Sequence, residues 1–167
     1  LHLSRGLGDV YKRQNILCVA PDVGGTARAR ALGKLLNVDL AIVDKRRPAP
    51  GKSEVMNVIG NVKNKTCILV DDIIDSGGTI VNAASELKKR GAKDVHVYVT
   101  HGVLSGNAVE KIKKSSIKNL VVTDTIDNSM KVKKAKNIEV LTISNLVGEA
   151  IKRLSLIHIS EPTRQVQ

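Results

Sequence analysis

The sequence predicts an α/β fold, a mostly parallel twisted sheet flanked by helices, and two observations carry the prediction. Apolar runs of strand length alternate along the chain with segments of helical period, the pattern of βαβ units joined by right-handed crossovers. The aromatics are Tyr11 and Tyr98, with no Phe or Trp, so a core must be built from Val, Ile, Leu and Ala. Branched aliphatic strands suit a parallel sheet buried on both faces. At 167 residues, 42% of them hydrophobic, the chain has room for one domain with a real core.

The elements follow in order. Asn15 to Ala20 is a short apolar run closed by Pro21, hence a buried strand. Pro21 to Thr26 is a loop and Ala27 to Leu36 a helix; Asp39 to Asp44 (DLAIVD) is a second strand. Lys45 to Lys52 (KRRPAPGK) combines four basic residues with two prolines and a glycine, so it is expected to be irregular and mobile. Ser53 to Val62 fits a helix or a half-buried strand; Asn57 and Gly60 weaken the helix and favour the strand. Asn64-Lys65 turns into the strand Thr66 to Val70, and Ile80 to Arg90 is a helix ended by Lys88-Lys89-Arg90 and Gly91. Asp94 to Thr100 alternates cleanly as a strand, and Ser105-Gly106-Asn107 can cap a helix from Ala108 to Lys114. Ile117 to Thr123 and Ile138 to Ile143 are strands, Asp124 to Ser129 is a loop, and Asn145 to Leu154 is a helix.

Residues 1–14 and 155–167 show no sustained period and read as non-native, scar-like tails, leaving 15–154 as the domain. The chain opens on Leu1 and its methionines are Met56 and Met130, so a complete natural reading frame is not expected. His2 and His158 fall in the tails and are not taken as ligands.

A formal charge of +11 raises the nucleic-acid class. No set of stacking aromatics accompanies it, and the lysines scatter through helix-like segments such as 110–114 and 131–136. Solvated helix faces account for the charge, and no nucleic-acid partner is expected. Cys18 and Cys67 lie inside apolar runs without a CxxC spacing and read as buried thiols. The apolar runs are too short for a bilayer and residues 1–14 lack an apolar stretch of signal type, so a cytoplasmic protein without membrane association is expected.

The chemistry concentrates in Val70 to Thr79 (VDDIIDSGGT). An apolar run feeds into Asp71 and Asp72, and Asp75-Ser76-Gly77-Gly78-Thr79 then opens a helix. Backbone N–H groups at a helix start, with two hydroxyls and two glycines, make an anion cradle. Adjacent acids repel unless a cation, water or hydroxyl groups satisfy them. A sugar phosphate carries both kinds of group. Ligands of open parallel sheets bind beyond the carboxyl ends of the strands, where Asp22 to Thr26, Lys45 to Lys52 and Asp71 to Thr79 all fall. Taken alone, Gly24-Gly25 fits a tight turn as well as a site, and Lys45 to Arg47 fits a solvated charge run. His96 reads as a packed strand residue, and His101 could face the same edge. GxxxxGK[ST] and GxGxxG are both absent.

VDDIIDSGGT resembles the ribose-5-phosphate loop of the type I phosphoribosyltransferase fold. Together with APDVGGTARAR, DKRRPAPGKSEVMNVIGNV and THGVLSGNA, in that order, it resembles the ribose-phosphate pyrophosphokinase (phosphoribosyl pyrophosphate synthetase) family from about Asn15 to Leu154. The resemblance implies that Asp71 and Asp72 hold the ribose 2- and 3-hydroxyls. It implies that Asp75, Ser76, Gly77, Gly78 and Thr79 wrap the 5-phosphate, with Asp75 organising the loop or meeting Mg²⁺ or water. Asp22, backed by Gly24 and Gly25 in a pyrophosphate loop, would bind Mg²⁺, and Lys45 and Arg47 would be the catalytic basic pair, Arg47 also touching ribose 5-phosphate. The implied reaction transfers the β,γ-diphosphoryl group of ATP to the ribose 1-hydroxyl, giving phosphoribosyl pyrophosphate and AMP.

Gly102 stands where the family usually has proline, which is expected to loosen that turn. The family also has a second, N-terminal domain that supplies much of the ATP site, including a metal-binding histidine, and assembles as a homo-oligomer of ring-like hexamers. This chain is therefore expected to bind ribose 5-phosphate with little or no transfer activity. Two alternatives remain: a purine or pyrimidine phosphoribosyltransferase, for which no base-recognition hood is seen, and a non-catalytic associated subunit, which has no need of the full set Lys45, Arg47, Asp71 and Asp72.

Overall fold

The computed structural model describes residues 15–46 and 55–160. Seven strands form one sheet in the order β3-β2-β1-β4-β5-β6-β7. They are β1 (Ile16–Ala20), β2 (Asp39–Arg46), β3 (Val55–Ile59), β4 (Thr66–Ile74), β5 (Asp94–Gly102), β6 (Asn119–Thr123) and β7 (Ile138–Leu141). All neighbours are parallel except β2 and β3, which form an antiparallel pair. The helices are α1 (Thr26–Leu36), α2 (Gly78–Lys89), α3 (Ala108–Lys113), α4 (Ser129–Val132) and α5 (Ser144–Ser160). The predicted α/β class with a mostly parallel sheet holds.

Alternation along the strands divides the interior. Leu17, Val19, Cys67, Leu69, Val95 and Val97 share one face with Ile80, Ala83, Ala84 and Leu87 of α2, and all are buried. Parallel register stacks them in rows, Leu17 beside Cys67 beside Val95 and Val19 beside Leu69 beside Val97. Cys18 and Ala20 project to the other face, where α1 packs over β1, β2 and β4 with Gly33 against Cys18. Both cysteines are buried and unpaired, as their apolar settings predicted. Because β1 leads through α1 to β2 on one side while β4 lies on its other side, the strand order reverses between β1 and β4, which opens a crevice at their carboxyl ends.

Several boundaries differ from expectation. Lys45 and Arg46, expected to be irregular, instead continue β2, opposite Met56 and Val55 of β3, because an antiparallel partner keeps their backbone groups bonded. The rest of the 45–52 segment, Arg47 included, lies outside the described residues. β4 runs through Asp71 and Asp72 to Ile74, since β5 stays alongside with His101 opposite Ile73 and Gly102 opposite Ile74. The ambiguous 53–62 stretch supplies a strand that ends before Gly60, where φ is +115° and an added Cβ would sit 2.9 Å from Ala41 Cβ. β7 stops at Leu141, a short helix follows the 124–128 loop, and α5 continues to Ser160, past the boundary expected at 154. The helix carries an Arg153–Glu149 pair one turn apart and, at the expected boundary, a hydroxyl bond from Ser155 to Ile151 O.

Candidate functional site

The loop after β1 is held by its own side chains. Gly25 N–H donates to Asp22 Oδ1 at 2.8 Å, and the Thr26 hydroxyl donates to Val23 O at 2.7 Å. Gly24 and Gly25 complete this turn, and α1 starts at once. Asp22 Oδ2 makes no hydrogen bond among the described residues.

At the far end of β4, Asp71 is half-buried and Asp72 exposed. Their repulsion is met by a cation from the chain itself. Arg28, in the first turn of α1, places Nη1 2.9 Å from Asp71 Oδ1 and Nη2 2.8 Å from Asp72 Oδ2. Asp72 N–H also donates to Asp71 Oδ1 at 3.0 Å. Burial raises the Asp71 carboxyl above its ordinary value, against the pull of the Asp72 amide, and the Asp72 charge adds to the rise. Some desolvation also acts on Asp72, but the Arg28 guanidinium and the Asp71 side chain outweigh it and hold Asp72 below the usual carboxylate range. Asp71 is therefore the more basic member of the pair.

Asp75 to Gly77 then turn the chain into α2. Gly77 has φ +75°, the left-handed region that a Cβ disfavours, and this residue aims the loop. α2 has no side-chain cap and no acid in its first turn, so its leading N–H groups and positive dipole end face the loop unpartnered by the helix itself. The base of the loop is tied to the end of β5: Val103 and Leu104 N–H donate to Ile74 O, and Ser105 N–H donates to Asp75 O at 3.1 Å. Lys111 Nζ, from α3, lies 3.5 Å from Ser76 O and brings a positive charge to the rim.

A pocket of about 220 Å³ is lined by Asp22, Asp71 and the run Ile73–Ile80. It therefore gathers Asp22, Asp71, Asp75, Ser76, Gly77, Gly78 and Thr79 from segments far apart in sequence. Asp72, Gly24 and Gly25 stand just behind: Asp72 joins through Arg28, and the glycines through the Asp22 turn. Lys45 lies next to the last residue of β2, at the same edge of the sheet, and Arg47 lies outside the described residues. A larger hollow of about 500 Å³ adjoins Asp71 and Arg28 but is mostly apolar, lined by Leu32, Leu35, Tyr98, Val121 and Leu141; it is the part of the sheet face that α1 leaves open.

Among the described residues, no three His, Cys, Asp or Glu side chains converge on a point that could hold a metal. The available donors near the pocket are hard carboxylate oxygens, including the free Asp22 Oδ2. They suit a Mg²⁺ that keeps most of its ligands as water or substrate phosphate. His101 Nδ1 sits 2.9 Å from the Thr125 hydroxyl, and half-buried His96 has its pKa lowered by desolvation and by Lys118. Neither lines the pocket.

Three contributors were not visible in the sequence: Arg28, Lys111 and Asn128. Asn128 is 1% exposed, and its Nδ2 donates to Gly102 O and, at 3.2 Å, to Ile126 O. Gly102, where a looser turn is expected, lies within β5. The residue is still paired in β5, and an added Cβ would meet Val122 Cγ1 at 3.0 Å and Asn128 Nδ2 at 3.3 Å.

The profile of the phosphoribosyl synthetase-associated domain family matches residues 46–163. A ribose-phosphate pyrophosphokinase of Hyphomonas neptunium is 60% identical over 87% of this chain and 47% of its own length. That of Agrobacterium fabrum is 56% identical over 90% of this chain and 49% of its own. The crystal structure of phosphoribosylpyrophosphate synthetase from Mycobacterium smegmatis superimposes with a TM-score of 0.78 and 36% identity, covering 90% of this chain and 48% of that one. The chain spans about half the length of the curated relatives it matches.

Proposed function

The chain belongs to the phosphoribosyl synthetase-associated domain family, and from that premise we propose that it is the acceptor-binding, C-terminal half of a ribose-phosphate diphosphokinase. The reaction is attack of the ribose 1-hydroxyl oxygen on the β-phosphorus of ATP. The new bond is from O1 to Pβ, the bond broken joins Pβ to the oxygen bridging it to Pα, and AMP departs. The observation that carries the reading is the single pocket in which Asp22, Asp71 and the Asp75–Thr79 loop meet.

Each residue then has a task. Loop N–H groups and the Ser76 and Thr79 hydroxyls take the 5-phosphate, helped by the positive end of α2. Asp71 and Asp72 accept the 2- and 3-hydroxyls and so fix the direction in which O1 points. Asp75, whose carboxylate would repel a phosphate, serves the loop through its carbonyl bond to Ser105. Lys45 and Arg47 stabilise the charge on the transferring group and on the departing nucleotide, which is the main lever in a transfer of this type. Asp22 would hold a Mg²⁺, which when bound would supply positive charge against the polyphosphate. On this reading the enzyme is a cytoplasmic homo-oligomer with ATP and ribose 5-phosphate as its substrates.

Calorimetric titration of this chain with ribose 5-phosphate tests the acceptor half. Binding that Asp71→Asn weakens roughly tenfold, with Asp72→Asn in the same direction, is expected. Binding indifferent to both substitutions would sink the assignment. In the full-length protein, Lys45→Ala is expected to cost roughly a thousandfold in kcat. Unchanged activity there would instead favour a non-catalytic associated subunit.

A further inference from the structure

We propose that Arg28 is a positioning residue of the sugar site, a fork from α1 that fixes Asp71 and Asp72 as a matched pair of hydroxyl acceptors. The inference rests on the reading of the pocket as a ribose 5-phosphate site. Arg28 uses a different nitrogen for each acid, Nη1 for Asp71 Oδ1 and Nη2 for Asp72 Oδ2, at 2.9 and 2.8 Å. Asp71 Oδ1 is further taken by Asp72 N–H. The guanidinium thus meets Oδ1 of Asp71 and Oδ2 of Asp72, and leaves Asp71 Oδ2 and Asp72 Oδ1 outside the fork. Neighbouring hydroxyls on a ribose ring ask for such an arrangement: two carboxylate acceptors in a set relative orientation.

The planar fork is what makes this possible. A guanidinium spans two carboxylates with fixed geometry, whereas an ammonium is a point charge that cannot orient both. Its carrier is also well placed. Arg28 lies one helical turn past the Asp22–Gly25 turn, so α1 joins the two carboxylate sites through a single short element. Arg30, two residues on, is exposed and makes no ion pair among the described residues, which identifies it as the internal control.

The test titrates the whole chain with ribose 5-phosphate and with 2,3-dideoxyribose 5-phosphate, which keeps the phosphate and lacks the two hydroxyls. Arg28→Ala is expected to weaken ribose 5-phosphate roughly tenfold or more and to leave the dideoxy analogue nearly unaffected. Arg28→Lys and added guanidinium ion on Arg28→Ala should each restore part of the loss, and Arg30→Gln should change nothing. Wild-type affinity in Arg28→Ala, or an equal loss for both ligands without rescue, would overturn the inference while the site reading stands. If Arg28→Ala does not fold, Arg28→Lys carries the test: an affinity equal to wild type for both ligands overturns the inference. Absence of ribose 5-phosphate binding by the wild-type chain overturns the site reading and this inference with it.

Discussion

Asn128 shows how a single buried polar residue can support a site that it never touches. Its amide is bonded to Gly102 O, one residue before the N–H groups that hold Ile74 O and thereby the base of the Asp75 loop. Asn128→Ala deprives the Gly102 and Ile126 carbonyls of the amide that donates to them. The expected cost is about 1–3 kcal/mol, read as a lowered urea midpoint, with weaker sugar-phosphate binding as a secondary effect. Its Oδ1 has no partner, so part of that cost is offset when the orphaned acceptor is deleted. At Cys67 burial pushes the thiol up to about 11, only partly opposed by Lys65 and Lys88. The sign follows from linkage: the fold favours the protonated thiol, so this contribution is complete below the ordinary thiol value and is lost as pH rises toward 11. Wild type should lose up to ~1.4 kcal/mol per pH unit in that window relative to Cys67→Ser. Alkylation of native protein should stay slow at pH values where an exposed thiol reacts.

Among the elements, the β4–α2 connection concentrates the most consequence in the fewest residues. Gly77 at φ +75° is the hinge between strand and helix, and a Cβ there meets only ordinary contacts with Ile112 and Ala108. Conformation rather than crowding is the constraint. Gly77→Ala is expected to cost roughly 1–2 kcal/mol by denaturant unfolding and to lower sugar-phosphate affinity more than that loss of stability accounts for. Much of this element was legible in the sequence, because strand, glycine pair and helix signals lie within one local run. Its exact geometry was not. The strand continues four residues beyond Val70 because β5 happens to be long enough to pair with it, and no local signal in Asp71–Ile74 reports the length of a partner. The same holds for Lys45 and Arg46, which become strand because β3 returns alongside.

At the scale of the molecule, the sheet is covered unevenly. One face carries α2 and its core, but on the other α1 stops over β1, β2 and β4. Leu35, Tyr98 and Leu141 therefore border an open apolar hollow, and Leu146, Ile151 and Leu154 are exposed along α5. Contiguous apolar surface of this kind promotes association. The chain by itself is expected to bind an apolar fluorescent dye and to self-associate with rising concentration in sedimentation velocity. A monodisperse monomer that binds no dye would show that this surface is closed in solution.

Some features needed only the sequence. The alternation of strand and helix signals, the aliphatic core and the loop at Val70–Thr79 follow from local propensity and period, which act over a few residues. The tertiary structure decided what depends on distant partners. Arg28 lies 43 residues from Asp71, and the alanine-rich helix that carries it gives no hint of two carboxylates at its side. Lys111 reaches the rim from a third element, and Asn128 holds the loop's base from beyond β6. Local code specifies which segments can bind a sugar phosphate; only the parallel ordering of the strands brings their ends, and the charges that balance them, to one edge.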